Sequence, residues 1–234
     1  MHRGDLSHRV EPFCKVLVHE VPFGTLAAVA LPEGRDEVPP GPLERLHERE
    51  RSFALELRGR RRIEWVGGRL ALRLAAAARG LSLGPILPDA SGAPALPDGW
   101  TASITHKRTL AAALIGEGPT TVGLDIEELE PARHAIASRI LDAVELAAWE
   151  RLGEEERWPY LVRRFSLKEA TYKAIHPHLR RFVSFQEARI PRAEVGPVTI
   201  LLRLRGGEAV PRLEAELREE RGHVWAMVRA SARS

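Results

Sequence analysis

The chain has 234 residues, 44% hydrophobic and 29% charged, which suffices for one large domain or two small ones and excludes a globally disordered chain. A formal net charge of +3 is too small an excess to mark a nucleic-acid binder, and a single cysteine, Cys14, cannot close an internal disulfide. No apolar run approaches the ~20 residues that span a bilayer. The opening MHRGDLSHRV lacks the apolar centre of a signal peptide, so a cytoplasmic protein without a membrane span is expected.

In chain order, residues 15–31 predict two short strands turning at Pro22-Phe23-Gly24, followed by a Pro- and Gly-rich loop over 32–42. Leu43, Leu46, Phe53 and Leu57 recur at helical spacing and predict a helix over 43–58. A second helix is expected over 61–79, stopping at Gly80. Pro85, Pro88, Pro94 and Pro97 forbid a regular element over 81–100. TLAAALI (109–115) and TTVGLDIE (120–127) predict strands, and the Gly116-Glu117-Gly118-Pro119 spacer predicts that they pair as a hairpin. Helices are expected at about 140–152 and 160–175. Short strands then follow in VTILLRLR, LEAELRE and HVWAMVRA. Strands and helices come in blocks, which predicts an α+β fold with mostly antiparallel sheets.

Four segments carry candidate chemistry. In TVGLDIE, side chains alternate, so Val122, Leu124 and Ile126 share a buried face while Gly123, Asp125 and Glu127 share the other. Two carboxylates ~7 Å apart on one strand face suit a hard divalent cation that also holds phosphate; the plain alternative is a solvent-facing edge. In FSLKEATYKA, Glu169 and Lys173 are i,i+4 neighbours with Ser166 on the same side. The alternative there is an exposed ion pair. Pairing Ile115 with Thr120 would set Leu110 opposite Asp125 and Arg108 opposite Glu127, bringing His106 to the carboxylate end of that hairpin. Arg62, Arg69 and Arg73, with Arg61 at the start, fall in a narrow helical arc suited to a polyphosphate, unless they form a solvated basic face.

Together these segments resemble the 4'-phosphopantetheinyl transferases of the surfactin-synthetase-activating type, with the closer match to the bacterial branch that includes the enterobactin-type enzymes. The family's G-[apolar]-D-x-E strand reads Gly123-Leu124-Asp125-Ile126-Glu127, and its [WF]-[SCT]-x-K-E-A-x-x-K helix runs from Phe165 to Lys173. The branch's R-R-x-x-[FW] helix matches at Arg61, Arg62 and Trp65 with Arg69 after it, and its S-[ILV]-[ST]-H stretch at Ser103-Ile104-Thr105-His106. Its P-I-L loop ending in P-D-G matches at Pro85-Ile86-Leu87 and Pro97-Asp98-Gly99. Two positions in that loop depart from the branch, Pro88 in place of a basic residue and Leu96 in place of tryptophan.

The resemblance implies transfer of 4'-phosphopantetheine from coenzyme A to a carrier-protein serine, with associated roles in secondary-metabolite and siderophore biosynthesis. It implies that Asp125, Glu127 and Glu169 hold Mg²⁺, that Glu169 is the general base, and that Asp125, Glu169 and Lys173 form the catalytic set. Arg61, Arg69, Arg73, Thr105, His106 and Lys173 are the expected coenzyme A contacts. The implied fold is two similar α+β halves, 1–118 and 119–234, related by a pseudo-two-fold with the site between them. A monomer serving an acidic acyl or peptidyl carrier domain is expected, with Arg163, Arg164 and Arg181 as a basic docking rim and no nucleic-acid partner. Two rivals stay open: a non-catalytic coenzyme A or carrier binder, and a Mg²⁺-dependent nuclease. The E-x-x-x-K spacing favours a helix over the E-x-K strand common in such nucleases.

Overall fold

The computed structural model describes residues 13–89 and 92–232; the MHRGDLSHRV segment lies outside the described residues. Its elements are β1 (Lys15–Val21), β2 (Gly24–Ala30), α1 (Pro40–Glu44), α2 (Glu48–Glu56), α3 (Gly59–Ala78), β3 (Trp100–His106), β4 (Leu110–Glu117) and β5 (Thr121–Glu128). Then come α4 (Ala137–Ile140), α5 (Ala143–Glu150), α6 (Glu154–Leu179), β6 (Ala188–Arg189), β7 (Gly196–Val198), β8 (Leu201–Leu202), β9 (Arg212–Glu220) and β10 (His223–Ser231). The mixed helix and antiparallel-sheet class is the expected one. No helix among the described residues is long and apolar enough to cross a membrane.

Two compact units divide the chain. One ends at Pro97 and takes in Ile104–Ile115; the other holds Asp98–Ser103 and the residues from Gly116 onward. In the first unit, α3 lies against β1 and β2, in a sheet of order β1-β2-β4-β3. Gly67 and Gly68 remove the side chains that would keep α3 off its neighbours: a Cβ on Gly67 would sit 2.2 Å from Leu31 Cδ2, and one on Gly68 2.7 Å from Ile104 Cγ2. In the second unit, α6 lies on a sheet of order β5-β10-β9-β7. Its apolar core joins Leu167, Ala170 and Ala174 of α6 to Val224, Ala226 and Val228 of β10.

Several expectations are corrected. β4 and β5 do not form a hairpin. β4 has β2 and β3 on its two edges, so none is left for β5, which pairs instead with β10, Asp125 opposite Ala226. The other edge of β5 is closed by hydroxyls: Val122 N donates to Thr101 Oγ1 (3.3 Å) and Leu124 N to Ser103 Oγ (2.9 Å). The helix expected over 43–58 is broken, because His47 caps a new helix: its Nδ1 accepts from Arg49 N while Glu50 accepts from His47 N. Residues 140–152 are likewise split by the capping box of Asp142 and Glu145. α6 runs through both Pro159 and Pro177, beyond the expected 160–175. VTILLRLR is not one strand, since β7 pairs with β9 and β8 with β6.

Candidate functional site

Gly123 positions the site. A Cβ there would lie 1.8 Å from the Ala170 carbonyl oxygen and 2.8 Å from Ala174 N, so only glycine lets the α6 backbone rest on β5. With α6 this close, the Gly123–Asp125–Glu127 face is not the solvent edge weighed as the plain alternative. Asp125 is 4% exposed and Glu127 1%. Their neighbours across β10 are Ala226 and Val224, so both carboxylates sit in an apolar layer and need positive partners. Lys173 supplies one: its Nζ donates to Asp125 Oδ1 and to the Leu124 carbonyl, both at 2.9 Å. The Lys173 side chain keeps 28% of its exposure. Arg133 supplies the other, its Nη2 2.5 Å from Glu127 Oε2. Glu169, one turn before Lys173 on α6, is half-buried.

The adjacent basic run does something else. Lys168 is fully buried, and its Nζ donates to Glu145 and to the Ile140 carbonyl (2.8 Å). Burial pushes its amine pKa down, and Glu145 opposes that. Glu145 Oε1 also accepts from Ile190 N (2.7 Å), so one carboxylate ties α5 and the strand edge at β6 to α6. The expected basic docking rim is corrected here. Arg164 is buried and donates to the Tyr160 and Pro191 carbonyls, Arg163 pairs with Glu219, and Arg181 is held by Glu187 and Glu208. Arg163 and Arg181 are neutralised by adjacent carboxylates, and Arg164 keeps its charge but has almost no exposed surface to offer a partner.

In the first unit the arginine arc resolves into three different jobs. Arg62 donates to the Ala54, Leu55 and Leu57 carbonyls, closing the exposed end of α2. Arg73 donates to Glu50 Oε2 (2.6 Å) and to the Leu83 and Gly84 carbonyls. Arg69, 6% exposed, lies over the Trp65 ring with its guanidinium carbon 4.4 Å from the ring centroid. Among the described residues it makes one hydrogen bond, from Nε to the Ile86 carbonyl (2.8 Å), so its two terminal amino groups are uncommitted. Burial pushes the Arg69 pKa down to about 10, with Glu50 opposing and Arg73 reinforcing, so it stays charged at neutral pH. Arg61 is exposed on the first turn of α3. Thr105 is buried, and His106 is half-exposed with Nδ1 3.5 Å from Glu64 Oε2. The hairpin register that brought His106 toward the carboxylates no longer applies, because that hairpin does not exist.

Among the described residues no group of three or more His, Cys, Asp or Glu side chains gathers to hold a metal ion. Two buried carboxylates on one strand face, each beside a cation, nonetheless fit a magnesium ion, which takes one or two protein carboxylates and completes its shell with water and phosphate oxygens. Three residues escaped the sequence reading: Glu50, Arg133 and Glu145. Asp142-x-x-Glu145 is a legible capping box. Nothing in the local pattern marks Arg133, and a histidine-headed box at His47 hides Glu50.

Residues 121–228 match the family described as the 4'-phosphopantetheinyl transferase superfamily, and residues 50–116 match the 4'-phosphopantetheinyl transferase N-terminal domain. The chain is 33% identical over 137 residues to 4'-phosphopantetheinyl transferase PptT of Mycobacterium tuberculosis, covering 56% of this chain and 58% of that protein. It is 28% identical over 159 residues to 4'-phosphopantetheinyl transferase Svp of Streptomyces mobaraensis, covering 66% and 64%. A holo-[acyl-carrier-protein] synthase of Shewanella baltica is 37% identical over 90 residues, covering 38% of this chain and 69% of that protein. The matches to PptT and Svp thus span 58% and 64% of those proteins, less than two thirds of each. On these matches the chain belongs to the 4'-phosphopantetheinyl transferase superfamily.

Proposed function

We propose that this chain transfers the 4'-phosphopantetheine group of coenzyme A to a serine of an apo acyl or peptidyl carrier protein, giving holo-carrier and 3',5'-ADP, as an enzyme of the surfactin- and enterobactin-type branch. The observation that carries this reading is the Lys173–Asp125 pair, a partly exposed ammonium fixed 2.9 Å from a buried carboxylate, one helical turn from Glu169. Transfer of a phosphoryl-linked group demands charge neutralisation and in-line positioning rather than a protein nucleophile. Glu169 takes the proton of the carrier serine as its oxygen attacks the phosphorus of the pantetheine phosphate. The bond from that phosphorus to the bridging oxygen breaks, and Lys173 neutralises the charge that 3',5'-ADP carries away. Asp125, Glu127 and Glu169 are the side chains assigned to a magnesium ion, which when bound neutralises pyrophosphate charge. The uncommitted amino groups of Arg69 suit a phosphate at the adenosine end, with Arg61, Thr105 and His106 assigned to the rest of coenzyme A and Arg73, already bonded to Glu50 and to the Leu83 and Gly84 carbonyls, holding the 81–87 loop. We assign the protein to the cytoplasm and to a monomeric state.

The test is incubation with apo-carrier, coenzyme A and Mg²⁺ followed by mass spectrometry of the carrier. A gain of one phosphopantetheine that EDTA abolishes is the expected result. Tight coenzyme A binding without any gain across several carriers replaces this reading with the non-catalytic one.

A further inference from the structure

Glu50 is a carboxylate with 0% exposure, and its bonds tie the start of α2, helix α3 and the 81–87 segment together. Oε1 accepts from Ile86 N (2.9 Å). Oε2 accepts from His47 N (2.8 Å) and from Arg73 Nε and Nη2 (3.1 and 2.6 Å). The Ile86 carbonyl in turn accepts from Arg69 Nε (2.8 Å), so both backbone polar groups of Ile86 are held by buried charged side chains. Arg73 adds the Leu83 and Gly84 carbonyls of the same segment. Residues 81–87 have no helix or strand of their own, so these side chains stand in for a ladder.

A neutral side chain could tie down a loop. A buried carboxylate does more, because it pairs with Arg73 and its negative charge opposes the burial of the Arg69 guanidinium. Nε of Arg69 is committed to Ile86 and its guanidinium carbon lies 4.4 Å from the Trp65 ring centroid, which restricts where the terminal amino groups can point. We infer that Glu50 is a positioning residue: by fixing Ile86 it aims Arg69 at the 3'-phosphate of coenzyme A. This rests on the reading of Arg69 given above as a phosphate contact, but not on turnover.

The experiment compares binding of coenzyme A and of 3'-dephospho-coenzyme A by calorimetry, without carrier, for the wild type, Glu50→Gln and Glu50→Asp. The wild type is expected to prefer coenzyme A by about tenfold or more, the scale of a charge-assisted contact. Glu50→Gln offers one acceptor oxygen where the carboxylate offered two, so Ile86 N, His47 N and Arg73 compete for it and the hold on Ile86 loosens; its preference is expected to fall below about threefold with dephospho-coenzyme A affinity nearly unchanged. Glu50→Asp keeps the charge but falls one methylene short, and its preference is expected to fall between the two; it decides the matter if Glu50→Gln does not unfold cooperatively in urea. Equal weakening of both ligands, or an unchanged preference in a folded variant, would show that Glu50 merely holds the fold and overturns the inference. A wild type that binds both ligands alike overturns it too. Failure of carrier modification, by contrast, counts only against the transfer reaction.

Discussion

In the first unit the glycines that let helix and sheet close up lie on the helix, Gly67 and Gly68 of α3. In the second the glycine lies on the strand, Gly123 of β5. The consequences differ. Gly67 and Gly68 open room for side chains, Leu31 and Ile104, to lodge against α3. Gly123 instead admits the helix backbone itself, Ala170 and Ala174, onto the strand. A helix seated that deeply carries its neighbouring side chains down beside the strand, so Lys173 reaches both the carbonyl of Leu124 and the carboxylate of Asp125. The strand glycine therefore builds the ion pair, whereas the helix glycines build only a close fit.

The sharpest way to break this contrast is Gly123→Ala. The new methyl group would meet backbone, which cannot rotate away, so α6 must shift as a whole. The expected cost is about 3 kcal/mol or more, the upper end for overpacking, read from urea unfolding. Carrier modification should be lost with it, because the shift lifts Lys173 from Asp125. A variant with wild-type stability would mean that β5 and α6 are less tightly seated than the contact distances state.

Asp125→Asn separates the charge of that pair from its shape. The amide keeps an acceptor for Lys173 Nζ, and because Lys173 is partly exposed, water compensates its charge; stability should move by less than about 1 kcal/mol. The rate of carrier modification at saturating substrates should fall about a hundredfold or more, because the assigned magnesium loses a charged ligand and Lys173 loses the carboxylate that places it. A variant with wild-type kcat would remove Asp125 from the site.

The β5 and α6 motifs were legible because their chemistry is local: alternation places Asp125 and Glu127 on one face, and i,i+4 spacing places Glu169 near Lys173. What escaped is not local. The pairing of β5 with β10 depends on which edges remain free once β2 and β3 flank β4, and Gly116–Pro119 says nothing about that. The breaks at His47 and Asp142 depend on capping boxes inside stretches whose apolar spacing continues. The arginine arc of α3 and the run at Arg163, Arg164 and Lys168 look alike in sequence. Their partners are mostly carbonyls and acids 4 to 56 positions away, so a basic run could not announce which of its members is already matched. Glu50 was missed for the same reason, and although the capping box that places Glu145 is local, its bonds to Lys168 and Ile190 N are not.

The smallest expected effects test the other half of the contrast. Gly67→Ala places its methyl group 2.2 Å from Leu31 Cδ2, the end of a side chain, and 3.2 Å from Ala111 Cβ, which cannot move without its strand. Leu31 must change rotamer in a closed site, so a cost of about 1–2 kcal/mol is expected. Gly68→Ala meets Ile104 Cγ2 alone, at 2.7 Å. Rotation of one isoleucine relieves that contact, and replacing glycine inside a helix returns about 1 kcal/mol. The net change should then lie within about 0.5 kcal/mol of zero by urea unfolding. The order Gly123, Gly67, Gly68 follows from what each methyl group meets: backbone, a confined side chain, a side chain with room to turn. If Gly68→Ala proved as costly as Gly123→Ala, the depth of helix seating would not depend on which partner carries the glycine, and the placement of Lys173 over Asp125 would need another cause.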